Sequence, residues 1–384
     1  MPAKTKKSRV KEEIEAQTEF QAMLTKINKE RGNVVTSASR IPAANHIPTG
    51  CFMLDYALLG GIADGFATMF YGYESCGKTF KVLKTIAGFQ RKYQDKEAVL
   101  IDFEGMFDKD WAATLGCDLE RLHVVRPSMG NEGVDLIEAL MEPMEVGLIA
   151  VDSVPGCVPQ RVADKSAEDS TMGELARLMG IMCSKILVSW ANERRRDHWV
   201  SVLLINQFRS KIGQMFGDPR TLPGGRQINH LPTTKIELKN NEIGGKDAFD
   251  SHMMVRNEHS FKITKAKHGR SVREGEFHVS LSEDQNDGVG VFDYINHKAV
   301  VTYAKKMGVL VGGGAGGYSF ACLDRSPRFK TYDQAGMHLL ENPEDMDTMQ
   351  RTLISMQRVD KGLSPLPKDG YLVSRTRTRR KICR

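Results

Sequence analysis

Apolar and polar positions change their spacing several times along this chain. Between residues 9 and 31, Ile14, Phe20, Leu24 and Ile27 recur near one helical face, which predicts a single helix with Gly32 as its stop. "GNVVTSASRIPAANHIPTG" (32–50) lacks that period and reads as a linker with a strand-like piece. From Phe66 the pattern becomes one of short runs: "FATMFYG" (66–72), "AVLIDFE" (98–104), "GLIAVDS" (147–153) and "WVSVLLINQ" (199–207). Each is apolar nearly throughout and ends in polar residues, and helix-like stretches such as "TFKVLKTIAGFQRKY" (79–93) separate them. Strands apolar on both faces, alternating with helices, predict a mostly parallel sheet in an α/β core.

Beyond Pro232, "TKIELK", "SFKITKAK" and "EFHVSLS" predict strands of a more antiparallel kind. From about residue 287 a helix-like stretch, "FDYINHKAVVTYAKKMG", is followed by "VLVGGGAGGYSF" and a last helical region through "MDTMQRTLISMQR". These boundaries divide the chain into 1–46, an N-terminal helix and linker for subunit packing, 47–286, the α/β core, and 287–384, a small C-terminal α/β domain with a basic tail. No internal repeat is visible.

Composition narrows the class. At 384 residues, 41% hydrophobic and 27% charged, the chain is long enough for more than one domain and ordinary for a globular protein. No apolar run approaches the roughly 18 residues of a membrane helix, and the basic start "MPAKTKKSRVK" has no apolar stretch after it, unlike a secretory signal. Seven scattered cysteines without C-x-x-C spacing fit neither a disulfide framework nor a zinc site, and suit a reducing cytoplasm. The net charge of +6 is mild but uneven: Arg375, Arg377, Arg379, Arg380, Lys381 and Arg384 crowd a tail with no acid, which attracts polyanions, nucleic acid first.

The sharpest chemistry lies at the ends of the apolar runs, where open α/β sheets bind ligands. Gly72, Gly77, Lys78 and Thr79 satisfy G-x-x-x-x-G-K-[ST] between a predicted strand and a predicted helix. In that context the glycines let backbone N–H groups turn toward a phosphate, Lys78 adds a point charge, Thr79 offers a hydroxyl to Mg²⁺, and the helix directs its positive end at the same place. Asp152 ends the third run and suits the carboxylate that reaches the metal, usually through water. Glu104 ends the second run, where a carboxylate can take a proton from an attacking water. Gln207 ends the fourth, where its amide can sense a γ-phosphate. By contrast, Gly312 to Gly317 satisfies G-x-G-x-x-G only literally: with no helix after it, it predicts a hairpin turn.

With those residues in place, the chain from about Ile47 to Ser355 resembles the RecA family of DNA strand-exchange recombinases. "IPTGCFMLDYALLGGIADG", "GYESCGKT", "IDFEGMFDKDWAATLG", "VDSV", "DSTMGELAR", "INQFRSKIGQMFGDP" and "LPGGRQ" follow in the family's order and near its spacing. The resemblance implies a RecA-type P-loop ATPase core. Gly72, Tyr73, Glu74, Ser75, Cys76, Gly77, Lys78, Thr79 and Phe80 would hold ATP, with Asp108 at the adenine edge and Trp111 stacked on the base. Thr79 and Asp152 would hold Mg²⁺, and Glu104 would activate water. Gln207 would link the γ-phosphate to the DNA loops, and Lys265 and Lys267 would reach across to a neighbouring subunit's ATP.

Two DNA loops follow from the same resemblance. The first runs roughly from Gln160 to Met172 and leads into a helix with Arg177. The second runs roughly from Arg209 to Arg226 and contains Arg209, Lys211, Ile212, Gly213, Met215, Arg220, Gly224, Gly225 and Arg226. Its cations suit phosphates, and Ile212 or Met215 suits a wedge between base steps. The sequence departs from the bacterial pattern at Arg226 (asparagine in the family), Ser184 (arginine), His230 (phenylalanine) and in its basic rather than acidic tail, departures that a phage-encoded member would fit. The implied function is an ATP-dependent recombinase, filamentous on single-stranded DNA, that pairs it with homologous double-stranded DNA. A ring-shaped RecA-type motor and a non-catalytic DNA-binding regulator are the alternatives.

Overall fold

The computed structural model describes residues 6–32, 34–41, 45–163, 173–210, 220–241, 256–269, 273–281 and 289–366. Its centre is an eight-stranded sheet. In chain order the strands are β1 (Ala67–Gly72), β2 (Glu97–Asp102), β3 (Leu122–Val125), β4 (Val146–Asp152), β5 (Ser201–Gln207), β6 (Thr234–Asn241), β7 (Arg256–Ala266) and β8 (Glu274–Ser280). Their spatial order is β8-β7-β6-β1-β5-β4-β2-β3. The strands from β6 to β3 in that order are mutually parallel, and β7 and β8 add an antiparallel edge.

The continuous apolar runs are continuous because helices cover both faces. Along β5, Leu203 and Ile205 point into one core with Leu83, Ile86 and Phe89 of α3 (Lys78–Lys92). Val202 and Leu204 point into the other, with Ile137 of α5 (Gly130–Leu140) and Met182 and Ile186 of α6 (Glu174–Glu193). The first two helices are α1 (Lys6–Arg31) and α2 (Phe52–Ala57), and α4 spans Lys109–Thr114. The strand-like piece of the linker is His46–Ile47, paired with Ile62–Ala63.

The structure corrects the reading of "TKIELK". That strand, β6, is antiparallel to β7 on one side but parallel to β1 on the other. The chain reaches it through α7 (Gly225–His230), a crossover that returns it to the same end of the sheet, and no local pattern in the strand itself encodes that. The strand β3 was not anticipated.

Beyond the sheet, α8 (Asn296–Lys306), the hairpin of β9 (Leu310–Gly312) and β10 (Tyr318–Phe320), α9 (Tyr332–Glu341) and α10 (Pro343–Asp360) close around a core of their own. Phe52 and Tyr56 of α2 reach into it. The hairpin is the turn expected at Gly312 to Gly317. The helix expected from Phe292 begins only at Asn296, because the preceding residues are spent on the sheet edge: Phe292 N–H donates to Ser280 O (2.7 Å), and Ile295 N–H donates to His278 O (3.0 Å). The last helical region is two helices rather than one. Thr331 caps α9 by accepting from Gln334 N–H (3.2 Å), and Pro343, at the start of α10, enforces the break.

Candidate active site and nucleic-acid loops

The carboxyl ends of β1, β2, β4 and β5 meet at one end of the sheet. The loop after β1 turns through residues of left-handed backbone, Ser75 (φ 57°) and Gly77 (φ 82°). A side chain at Gly77 would also stand 3.2 Å from the His259 ring, and one at Gly72 would stand 2.3 Å from Leu238 O. Glycine is therefore required at both places by geometry. The loop runs straight into α3, whose first residues are Lys78 and Thr79. A loop that runs straight into a helix start directs backbone N–H groups and the positive end of the helix dipole to one place, which suits an anion.

Thr79 Oγ1 donates to Asp152 Oδ2 at 2.9 Å, although the two lie 73 residues apart. Burial pushes the Asp152 carboxyl up to about 6. The charges of Glu104 and Asp102 add to this, while the Thr79 hydrogen bond and Lys78 oppose it. Glu104 stands two residues beyond β2 and accepts a short hydrogen bond from Ser153 Oγ, next to Asp152. Its loop is shaped by Asp102, which sequence reasoning missed. That buried carboxylate accepts from Met106 N–H (3.2 Å), Phe107 N–H (3.1 Å) and Arg126 Nε (3.3 Å). The Lys78 ammonium donates to Tyr73 O at 2.5 Å.

A hydroxyl beside a carboxylate is a donor set that fits Mg²⁺, which keeps most of its waters and takes remaining ligands from phosphate. Among the described residues no group of three or more His, Cys, Asp or Glu forms a metal cage, which that mode of binding does not need. Thr79 and Asp152 are the residues that would hold the ion.

The part of the site expected to take the base is aromatic. Trp111 lies edge-on to Phe292, with ring centroids 4.4 Å apart at 78°, and near Phe80. Asp108 caps α4, its Oδ1 accepting from Asp110 N–H (2.8 Å) and Trp111 N–H (3.0 Å), so the residue expected at the adenine edge also fixes the helix that carries Trp111.

Gln207 ends β5 beside Gly72 in register, and its Nε2 donates to Glu74 Oε1 at 2.7 Å. The next residues open the second loop. Arg209 and Ser210 pair with Thr221 and Arg220 in a short antiparallel ladder at its base. The chain leaves the ladder through Gly224 (φ 92°) and Gly225 (φ 77°) into α7. Arg226 is exposed at the start of α7. Arg220 instead folds onto Glu237 Oε1 (3.0 Å), so it is held within the chain rather than offered outward. Arg177 faces solvent on α6, 3.4 Å from Glu174. Met172, Lys211, Ile212, Gly213 and Met215 lie outside the described residues, as does the basic tail.

Lys265 and Lys267 are not brought to this cluster. Lys265 pairs with Lys235, which lies beside Met69 near the beginning of β1, so the two lysines occupy the opposite end of the sheet from the phosphate loop. Lys265 Nζ donates to His230 O at 2.8 Å, at the end of α7. Burial lowers the pKa of Lys265 and of Lys235; Lys267 lowers Lys265 further, and Lys265 lowers Lys235.

Comparison with known proteins agrees with this architecture. The family described as RecA N-terminal domain matches residues 18–286, more than half of the chain. Protein RecA of Aquifex pyrophilus is 31% identical over 310 residues, 79% of this chain and 81% of that protein. Protein RecA of Tropheryma whipplei is 30% identical over 313 residues, covering 81% of this chain and 66% of that protein. Protein RecA of Mesoplasma florum is 34% identical over 222 residues, which is 58% of this chain, and the match spans 63% of that relative's length. The mostly parallel sheet, the glycine loop between β1 and α3, and this extended similarity together place the chain in the RecA family.

Proposed function

We propose that this chain is a DNA-dependent ATPase that forms helical filaments on single-stranded DNA and pairs that strand with a homologous duplex. The observation that carries the reading is the junction at Gln207: the strand that ends against the phosphate loop is followed, one residue later, by the ladder of the second loop. Nucleotide chemistry and a nucleic-acid surface built this way are separated by a single residue, Phe208.

In this reading Gly72 to Phe80 cradle the triphosphate, Asp108 and Trp111 bound the adenine, and Thr79 and Asp152 hold Mg²⁺, which neutralises charge on the phosphates. Glu104, oriented by Ser153, takes the proton of the attacking water. Gln207 reports the γ-phosphate to the loop. Arg177, Arg209 and Arg226, with Met172 and the residues from Lys211 to Met215, face the DNA. Lys265 and Lys267 complete the ATP site of the adjacent subunit. Residues 1–46 pack between subunits, as the half-exposed Phe20 (53%) and Met23 (50%) of α1 suggest, and residues 287–384 form a separate small domain. Among the described residues no helix is long and apolar enough to cross a membrane, and the six described cysteines are free thiols, five of them buried. We assign the protein to the cytoplasm on that cysteine chemistry and on its DNA substrate.

Electron microscopy of the full chain with ATP, Mg²⁺ and circular single-stranded DNA tests the reading. Helical filaments on the circles, with ATP turnover that rises on adding the DNA, are expected. Closed rings, or turnover indifferent to DNA, would overturn it.

A further inference from the structure

The residue after Gln207 makes a second connection that the roles above leave unused. Phe208 N–H donates to Gly72 O at 3.2 Å, the first residue of the phosphate loop. Its ring lies 5.2 Å from that of Tyr73, within the same loop, and 5.4 Å edge-on from Tyr71 at 86°. The Arg220 guanidinium sits 4.8 Å from the Phe208 ring centroid. Arg220 belongs to the opposite strand of the ladder that closes the second loop, and Glu237 of β6 anchors it at 3.0 Å. One ring therefore touches the phosphate loop and one strand of the loop base, while its own backbone leads directly into the other. Gln207 and Phe208 thus hold two neighbouring residues of that loop, Glu74 and Tyr73.

We propose that Phe208 is a positioning residue that couples the nucleotide site to the DNA loop, in parallel with Gln207. The inference rests on the reading of the second loop as a DNA-binding element. A displacement of Tyr73 on filling the phosphate loop moves a ring that Arg220 holds by its charge and flat face. Both ladder strands must follow, because the ring is packed rather than free to rotate. By linkage, the factor by which nucleotide tightens DNA binding equals the factor by which DNA tightens nucleotide binding.

The test measures that factor in the full chain. Affinity for a fluorescent oligo-dT is determined with and without Mg²⁺ and a slowly hydrolysed ATP analogue, for wild type, Phe208→Leu and Phe208→Tyr. Leucine keeps apolar bulk but removes the flat face, whereas tyrosine keeps the face. Phe208→Leu is expected to bind each ligand alone, yet to lose about fivefold or more of the coupling factor, with Phe208→Tyr close to wild type. A Phe208→Leu factor within about twofold of wild type overturns the proposal. So does equal loss in both variants, or a Phe208→Leu protein that binds neither ligand, since the ring would then serve only packing. A wild-type chain that binds no oligo-dT at all would instead remove the recombinase reading on which the proposal stands.

Discussion

The two ends of the central sheet carry opposite charges, each disfavoured by its surroundings. At the end with the phosphate loop, Asp152 is a carboxyl pushed up to about 6 by burial and by neighbouring acids. At the other end, Lys235 and Lys265 are pushed below the ordinary lysine value by burial and by like charges beside them. Each end is expensive for an isolated chain. Under the proposed function a triphosphate with its metal would offer the acidic end a cation and the basic end an anion. In the proposed reading these ends are two unlike halves of a site, which stacking chains head to tail would bring together. A repeated head-to-tail contact that does not close builds a helical filament.

The largest effect that sharpens this contrast is at Glu104. Glu104→Gln cannot take the proton from water, so turnover should fall by about 10²- to 10⁴-fold while nucleotide still binds. Turnover within a few-fold of wild type, measured by phosphate release, would remove Glu104 from the chemistry. A smaller effect separates stability from function at Asp152. The folded carboxyl keeps its proton up to about pH 6, against an ordinary value of 3.8, so the folded state binds more protons between those values. Its charged form therefore costs stability fully above about pH 6, and the cost is relieved as the pH falls toward the lower value. Asp152→Asn should raise the stability of the nucleotide-free chain at pH 8 by on the order of 1–3 kcal/mol and lose most of that gain near pH 4, while weakening Mg²⁺-dependent nucleotide binding. Denaturant unfolding at both pH values checks it; a variant less stable than wild type at pH 8 would contradict the electrostatic account. The smallest effect lies between the two ends. Arg226 stands where α7 leaves the acidic end on its way to Lys265. Arg226→Ala should reduce the slope of log DNA affinity against log salt by about 1 if it holds one phosphate. An unchanged slope would place it off the DNA.

The acidic end was readable because its parts terminate apolar runs, and an apolar run buried on both faces identifies itself. Gly72, Glu104, Asp152 and Gln207 are all of that kind. What holds them was not readable. Asp102 looks like one more polar strand end, and only its three donors show that it shapes the Glu104 loop. Phe208 and Arg220 meet because a ladder brings them together across a dozen residues. The opposite end was least legible of all. Lys265 and Lys267 on a strand look like a solvated face, and the parallel placing of β6, which fixes the end they occupy, is set by the crossover through α7. Lys81 is a lysine that is fully buried, its ammonium 3.9 Å from the Phe277 ring centroid and 2.6 Å from Tyr294 OH.

Mixing two inactive proteins tests most directly whether the two ends form one shared site. Lys265→Ala keeps its own Glu104 but lacks a cation for its neighbour, and should lose roughly 10²-fold in turnover on DNA if that cation stabilises the transferring phosphoryl group. Glu104→Gln lacks the base but keeps both lysines. In filaments confirmed by microscopy to contain both, some sites would combine an intact Glu104 with a neighbour's intact Lys265 and Lys267. DNA-stimulated phosphate release from the mixture should then exceed the sum of the two proteins measured alone. Release equal to that sum, from filaments shown to be mixed, would contradict the shared site and return the lysines to a solvated strand end.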